Sequence, residues 1–131
     1  MKKTALLHSE LSALIARLGH GDMLVIADAG LPIPAETARI DLALTRNIPR
    51  FGDTLRVVLA EMQVERWIVA AETAATSPAI FAEMQALMGD TQVETVDHAT
   101  LKALTRQARA VVRTGECTPY ANMLLVAGVA F

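Results

Sequence analysis

Two histidines and a carboxylate stand where apolar segments of this chain begin and end. His20 lies in Gly19-His-Gly-Asp22, just before the apolar run Met23 to Ala27, and Asp28 directly follows that run. His98 comes after Asp97, where a helical pattern opens. Near the end, Gly115-Glu-Cys-Thr-Pro-Tyr-Ala-Asn122 sets Tyr120 and Asn122 two positions apart. Imidazole, carboxylate, phenol and amide together suit proton transfer to and from hydroxyl groups.

Each candidate has a functional and a plain structural reading. His20 follows a helical segment whose negative dipole end favours imidazolium, as a proton donor requires; it also fits as an ordinary loop residue. Asp28 begins Asp-Ala-Gly, ordinary turn chemistry, yet carboxyl ends of strands are where ligands bind in open α/β sheets. His98 falls in a first helical turn, where the positive dipole end favours neutral imidazole, so the two histidines are pushed toward opposite roles. Lys102 lies one helical turn beyond His98, either a ligand contact or a solvated surface lysine. In an extended backbone Tyr120 and Asn122 point the same way and can hold adjacent sugar hydroxyls, with the Ala121 backbone between them. A turn leading into the final strand explains them equally well. His8 has no such setting.

Other chemistries lack their motifs. Gly19 and Gly21 precede a strand, whereas a dinucleotide fingerprint follows one and opens a helix. There is no Gly-x-Ser-x-Gly elbow, and His8, His20 and His98 are too scattered for metal-ligand spacing. The expectation is a site with no cofactor and no metal.

Composition narrows the class further. The chain has 131 residues, 53% of them hydrophobic, and a formal net charge of −2. Its mean hydropathy of +0.36 is high for a small monomer and points to apolar surface buried between subunits. No apolar run approaches the roughly 18 residues of a membrane span. Basic residues are scattered and aromatics few, which disfavours nucleic acid. Cys117 is the single cysteine, and His8, Ser9 and Glu10 interrupt the opening apolar stretch too early for a signal peptide. The expected location is the cytoplasm.

The elements that must carry these residues alternate between two periods. Leu11, Leu14, Ile15 and Leu18 repeat at helical spacing, with Ser9 as N-cap and Gly19 as stop. Met23 to Ala27 and Ile40 to Leu44 read as strands. Phe51, Leu55, Val58, Leu59 and Met62 mark a helix, and Trp67 to Ala71 a strand. Ser77-Pro78 opens a helix that ends at Gly89. Val93 to Val96 is a strand, and His98 to Gln107 a helix capped by Asp97. Ala110 to Val112 and Asn122 to Ala127 supply the last strands. This alternation predicts one domain over residues 1–131, a three-layer α/β/α sandwich with a mainly parallel, possibly mixed sheet of about six strands.

Several segments carry a family resemblance. Gly19-His-Gly-Asp22, Asp28-Ala-Gly-Leu-Pro-Ile-Pro34, Arg39-Ile-Asp41, Glu61-Met-Gln-Val-Glu65 and Gly115-Glu-Cys-Thr-Pro-Tyr-Ala-Asn122 resemble the D-ribose pyranase family. The likeness runs from Met1-Lys-Lys to Gly128-Val-Ala-Phe131. The related L-fucose mutarotases share Gly-His-Gly-Asp and the late tyrosine, but the Asp28 and Pro119 segments look like the ribose branch. The resemblance implies a cytoplasmic isomerase that interconverts the β-pyranose and β-furanose forms of D-ribose. It implies His20 as proton donor, Asp28, His98 and Tyr120 to Asn122 as sugar contacts, and no cofactor. It also implies a homo-oligomer, a decamer of stacked rings with sites at subunit contacts. A mutarotase for another sugar such as L-fucose, a non-catalytic ribose-binding module and a nucleotide-binding α/β domain are the alternatives.

One geometric expectation concerns His20 and Asp28. The five strand residues between them span roughly 16 Å, more than one pentose bridges. If both serve one sugar, they are expected to come from neighbouring subunits.

Overall fold

In the computed structural model, which describes residues 1–131, six strands and five helices follow one another along the chain. The strands are β1 (Met23–Ala27), β2 (Ala38–Asp41), β3 (Val64–Ala70), β4 (Gln92–Val96), β5 (Ala110–Arg113) and β6 (Met123–Ala127). The helices are α1 (Ser9–Arg17), α2 (Phe51–Leu59), α3 (Ala71–Thr76), α4 (Pro78–Met88) and α5 (His98–Leu104), the last continued by a 3₁₀ turn to Gln107.

All six strands form one sheet in the order β2-β5-β1-β6-β3-β4. Neighbours run parallel except β6, which is antiparallel to both β1 and β3. The sheet is therefore mixed. The central strands β1 and β6 are apolar along their length because both sheet faces are covered. Leu24, Ile26, Met123 and Leu125 pack with Leu11, Phe51, Leu55 and Met84 beneath α1, α2 and α4. Val25, Leu124 and Val126 face the other way, against Leu101 of α5 and the Leu31 segment. The layers are unequal: one cluster has 21 buried residues and the other 10, since α5 and a loop alone cover the second face. Fully burying each Leu or Ile stabilises by about 1.5–3 kcal/mol, so most of the stability lies under the three longer helices.

Local expectations change in six places, one being β3, which runs from Val64 to Ala70 rather than from Trp67 to Ala71. His8, not Ser9, caps α1: its Nδ1 accepts the Leu11 N–H at 3.2 Å. That helix ends in an extended Leu18 rather than at Gly19. The second strand is Ala38–Asp41 rather than Ile40 to Leu44, because pairing with β5 fixes its register from Ala38 to Asp41. The short helix α3 follows β3 directly, where no periodic apolar pattern announces it. The Ser77 hydroxyl makes no cap bond to α4 and donates to the Pro119 carbonyl at 2.6 Å. Asp97 caps α5, accepting the Thr100 N–H at 2.6 Å.

Candidate functional site

The candidates gather at two opposite ends of the sheet. At the carboxyl end of β1, Asp28 meets Asn122, which stands just before β6. The Asp28 N–H donates to Asn122 Oδ1 at 2.9 Å, and Asn122 Nδ2 donates to Asp28 Oδ2 at 2.9 Å. The Gly30 N–H donates to the other carboxylate oxygen, also at 2.9 Å. Burial pushes the Asp28 carboxyl above its ordinary range, against the opposing pull of the Gly30 N–H, the Asn122 amide, the Leu31 N–H and nearby His98.

The chain around Asp28 is gripped from β5 as well. The Thr114 hydroxyl donates to the Ala27 carbonyl at 2.7 Å, the Ala29 N–H to the Glu116 carbonyl at 2.9 Å, and Arg113 Nε to the Ala29 carbonyl at 3.0 Å. Arg113 is in turn paired with Asp41 at 3.1 Å. A cleft of about 390 Å³ opens here, lined by Asp28, Gly30, Glu116, Cys117, Thr118 and Pro119 among others.

Tyr120 and Asn122 do not lie in an extended backbone, as their spacing predicts. Tyr120 has φ +60°, a left-handed conformation that a bulky residue adopts only when its surroundings hold it. The surroundings are the buried Thr73 hydroxyl, which donates to the Tyr120 carbonyl at 2.8 Å, and Ser77 on the carbonyl before it. The Asn122 N–H also donates back to the Tyr120 carbonyl at 2.9 Å. The kink sends the two side chains apart: Asn122 is buried on Asp28, while Tyr120 stays half-buried against His98. Ala121 between them is fully buried.

His98 and Tyr120 meet edge to face, with ring centroids 5.0 Å apart. The His98 N–H donates to Glu72 of α3 at 2.9 Å. Its Nδ1 is buried without a hydrogen-bond partner within the chain. Glu72, Thr73 and Ser77 are thus supporting residues that sequence reasoning missed. Their one signal is the density of polar side chains just after β3.

Lys102 lies apart from these contacts. It is exposed and lines a larger groove of about 620 Å³ with Pro32, Ile33, Glu36 and Arg106 on the outer side of α5. Size alone therefore does not mark the site: that groove holds none of the other candidates.

His20 stands at the other end of β1. Gly21, at φ +84°, closes a tight turn in which the Asp22 N–H donates to the Gly19 carbonyl at 3.0 Å. The Asp22 carboxylate accepts the Gly19 N–H at 2.8 Å and Arg109 Nε at 2.9 Å, and these bonds hold it below its ordinary range. The Gly21 N–H donates to the Ala127 carbonyl at 2.9 Å and the Ala127 N–H to the Asp22 carbonyl at 2.8 Å, tying the turn to the end of β6. His20 itself is exposed, with Nε2 2.7 Å from a carboxylate oxygen of Glu65.

The chain therefore presents two separate clusters: an exposed imidazole at one end of β1, and a cleft holding the Asp28 carboxylate at the other. No group of three or more His, Cys, Asp or Glu could hold a metal ion. No helix is long and apolar enough to cross a membrane.

Comparison with known proteins extends along the whole chain. The model of the RbsD / FucU transport protein family matches residues 1–130. A D-ribose pyranase of Chloroflexus aggregans is 63% identical over 131 residues, covering 100% of both chains. One from Variovorax paradoxus is 58% identical over 137 residues, again covering 100% of both. Among solved structures, Bacillus subtilis RbsD complexed with D-ribose superposes with a TM-score of 0.97 at 46% identity, over 100% of each chain. The fucose mutarotase of Streptococcus pneumoniae, in complex with L-fucose, reaches a TM-score of 0.86 at 22% identity over 100% of each chain, a likeness of fold.

Proposed function

Because this chain belongs to the RbsD / FucU transport protein family, we propose that it is an isomerase that interconverts the pyranose and furanose forms of D-ribose. The observation that carries this reading is the full-length likeness to D-ribose pyranases at 50–63% identity, together with the likeness to a ribose-bound relative.

The reaction needs proton movements and little else. Opening the pyranose breaks the C1–O5 bond; O5 gains a proton and the C1 hydroxyl loses one, leaving the aldehyde. Reclosure forms the C1–O4 bond; the C4 hydroxyl loses its proton and the carbonyl oxygen gains one. A positioned donor or acceptor accelerates such steps by about 10²- to 10⁴-fold. His20 is the donor in this reading, exposed at the surface with its Nε2 on Glu65. Asp28, His98, Tyr120 and the Ala121 backbone hold the sugar, with Asn122 fixing Asp28 from behind. Lys102, one turn beyond His98 but in a separate groove, is the candidate contact with the least geometric support.

The working unit is a homo-oligomer, a decamer, with His20 of one subunit completing the Asp28 cleft of the next. Support comes from the placement of the two clusters at opposite ends of β1 and from apolar side chains left exposed, Leu44 at 81% and Ile48 at 53% among them. The cytoplasm is the proposed location, in keeping with one free, exposed cysteine.

Exchange spectroscopy by NMR on equilibrated D-ribose tests the activity. Exchange between pyranose and furanose signals is expected to rise in proportion to added protein. An unchanged rate removes the reading, and faster exchange of L-fucose anomers than of ribose forms turns it toward the mutarotases.

A further inference from the structure

We infer that Glu65 is the positioning residue for His20, and that it leaves Nδ1 as the nitrogen that gives and takes the proton. The inference rests on the reading of His20 as donor and concerns how the imidazole is held.

The side chains lie 45 residues apart in sequence, yet His20 Nε2 is 2.7 Å from Glu65 Oε2. Local structure on both sides builds this meeting. Pairing of β3 with β6 steps from Val64 opposite Ala127 to Arg66 opposite Val126, so Glu65 is the extra residue of a β-bulge. Bulges re-aim a side chain out of the ladder. Next to it, a Cβ added to Gly128 would sit 3.0 Å from Glu65 Cβ and 3.2 Å from its nitrogen, so glycine keeps that corner open. The Gly128 N–H donates to the Gln63 carbonyl at 2.9 Å and closes the strand end. On the other side, the Asp22 and Ala127 bonds fix the turn that carries His20.

An exposed ion pair adds little to stability, so the consequence lies in the ring. An ionised carboxylate only accepts hydrogen bonds, so Nε2 carries its hydrogen toward Glu65. Nδ1 is then the nitrogen open to substrate. Imidazolium delivers the Nδ1 proton to O5 as C1–O5 breaks and the C1 hydroxyl gives its proton to water, leaving neutral His20 in its Nε2–H tautomer. The Nδ1 lone pair takes the C4 hydroxyl proton as C1–O4 forms and water returns a proton to the carbonyl oxygen, so imidazolium is restored.

The test compares full-length wild type with Glu65→Ala, Glu65→Gln and His20→Ala, reading ribose exchange by NMR and the His20 tautomer from imidazole ¹⁵N shifts. In wild type the neutral ring is expected as Nε2–H. Glu65→Ala loses that preference and lowers turnover about ten- to a hundredfold, by analogy with the orienting partners of metal-bound histidines, with the ribose KM little changed. Glu65→Gln keeps an acceptor oxygen but adds an amide donor, so it is expected to recover the tautomer preference and the rate only in part. A wild-type ring in the Nδ1–H form, or full turnover in Glu65→Ala, overturns the inference. Should His20→Ala exchange ribose at the wild-type rate, the donor reading itself falls; an inactive His20→Ala beside an active Glu65→Ala removes the Glu65 role alone.

Discussion

Asn122 and Asp28, 94 positions apart in the chain, hold each other through two reciprocal hydrogen bonds of 2.9 Å. The amide oxygen takes the Asp28 backbone N–H while the amide nitrogen gives to the carboxylate. Asn122 is 1% exposed, so it acts on a ligand through Asp28 rather than by reaching the solvent. The pair joins the end of β1 to the start of β6, and the half-buried carboxylate is aimed by it.

Replacing Asn122 with Ala strips a partner from both Asp28 groups. Leaving buried donors and acceptors unmade costs about 1–3 kcal/mol, so denaturant unfolding is expected to show a loss of that size. Ribose affinity, measured by titration calorimetry, weakens in the same variant. Unchanged stability and affinity would contradict the pairing.

The Asp28 carboxyl titrates above its ordinary range, with burial the leading cause. Folded protein therefore keeps this proton to higher pH than unfolded protein does. Stability from this group is present at low pH and declines as pH rises from the ordinary carboxylate range through the raised value. Asp28→Asn lacks that decline. Its stability relative to wild type is expected to improve as pH rises from the ordinary carboxylate range through the raised value, read from paired denaturation curves. A constant difference would count against the burial of Asp28.

Asp22 behaves in the opposite sense. Bonds from the Gly19 N–H, first, and Arg109 hold its carboxyl below the ordinary range. Its contribution is present at neutral pH and lost as pH falls through the lowered value. Asp22→Asn is expected to be less stable than wild type at neutral pH, with the gap closing in acid. Amide exchange at Gly19 to Gly21 should quicken in this variant, since the turn loses its anchor. A gap that widens in acid would refute the assignment.

Gly115 packs against backbone. An added Cβ would lie 2.5 Å from the carbonyl oxygens of both Thr45 and Ile48, atoms that cannot swing aside. Gly115→Ala is expected to destabilise by about 1–3 kcal/mol or more, in line with overpacking elsewhere. Thermal unfolding checks it, and a melting temperature equal to wild type would show that the Thr45–Ile48 turn yields.

Much of the fold is legible in the sequence because burial writes itself as apolar runs. Met23 to Ala27 is uniformly apolar and becomes the fully sandwiched β1. The edge strand β4 is legible too, though exposed, from its β-branched residues between turn signals. What escapes is set by partners distant in the chain. The start of β2 depends on pairing with β5, and the left-handed Tyr120 depends on Thr73, 47 positions away. The separation of His20 and Asp28 at opposite ends of β1 was readable from the length of that strand. Neither Glu65 nor Asn122's burial was, since each takes its role from a residue far off in the chain.

The central claim is that a ribose site forms from His20 of one subunit and the Asp28 cleft of another. The most direct measurement produces His20→Ala and Asp28→Asn subunits together in one cell, then follows ribose exchange by NMR in the purified mixed oligomers. Wild type should accelerate exchange, and each variant alone should not. Random mixing leaves about one site in four with both residues intact, so the mixture should recover about that fraction of wild-type exchange. A mixture as inactive as either variant, beside an active wild type, would contradict the shared site.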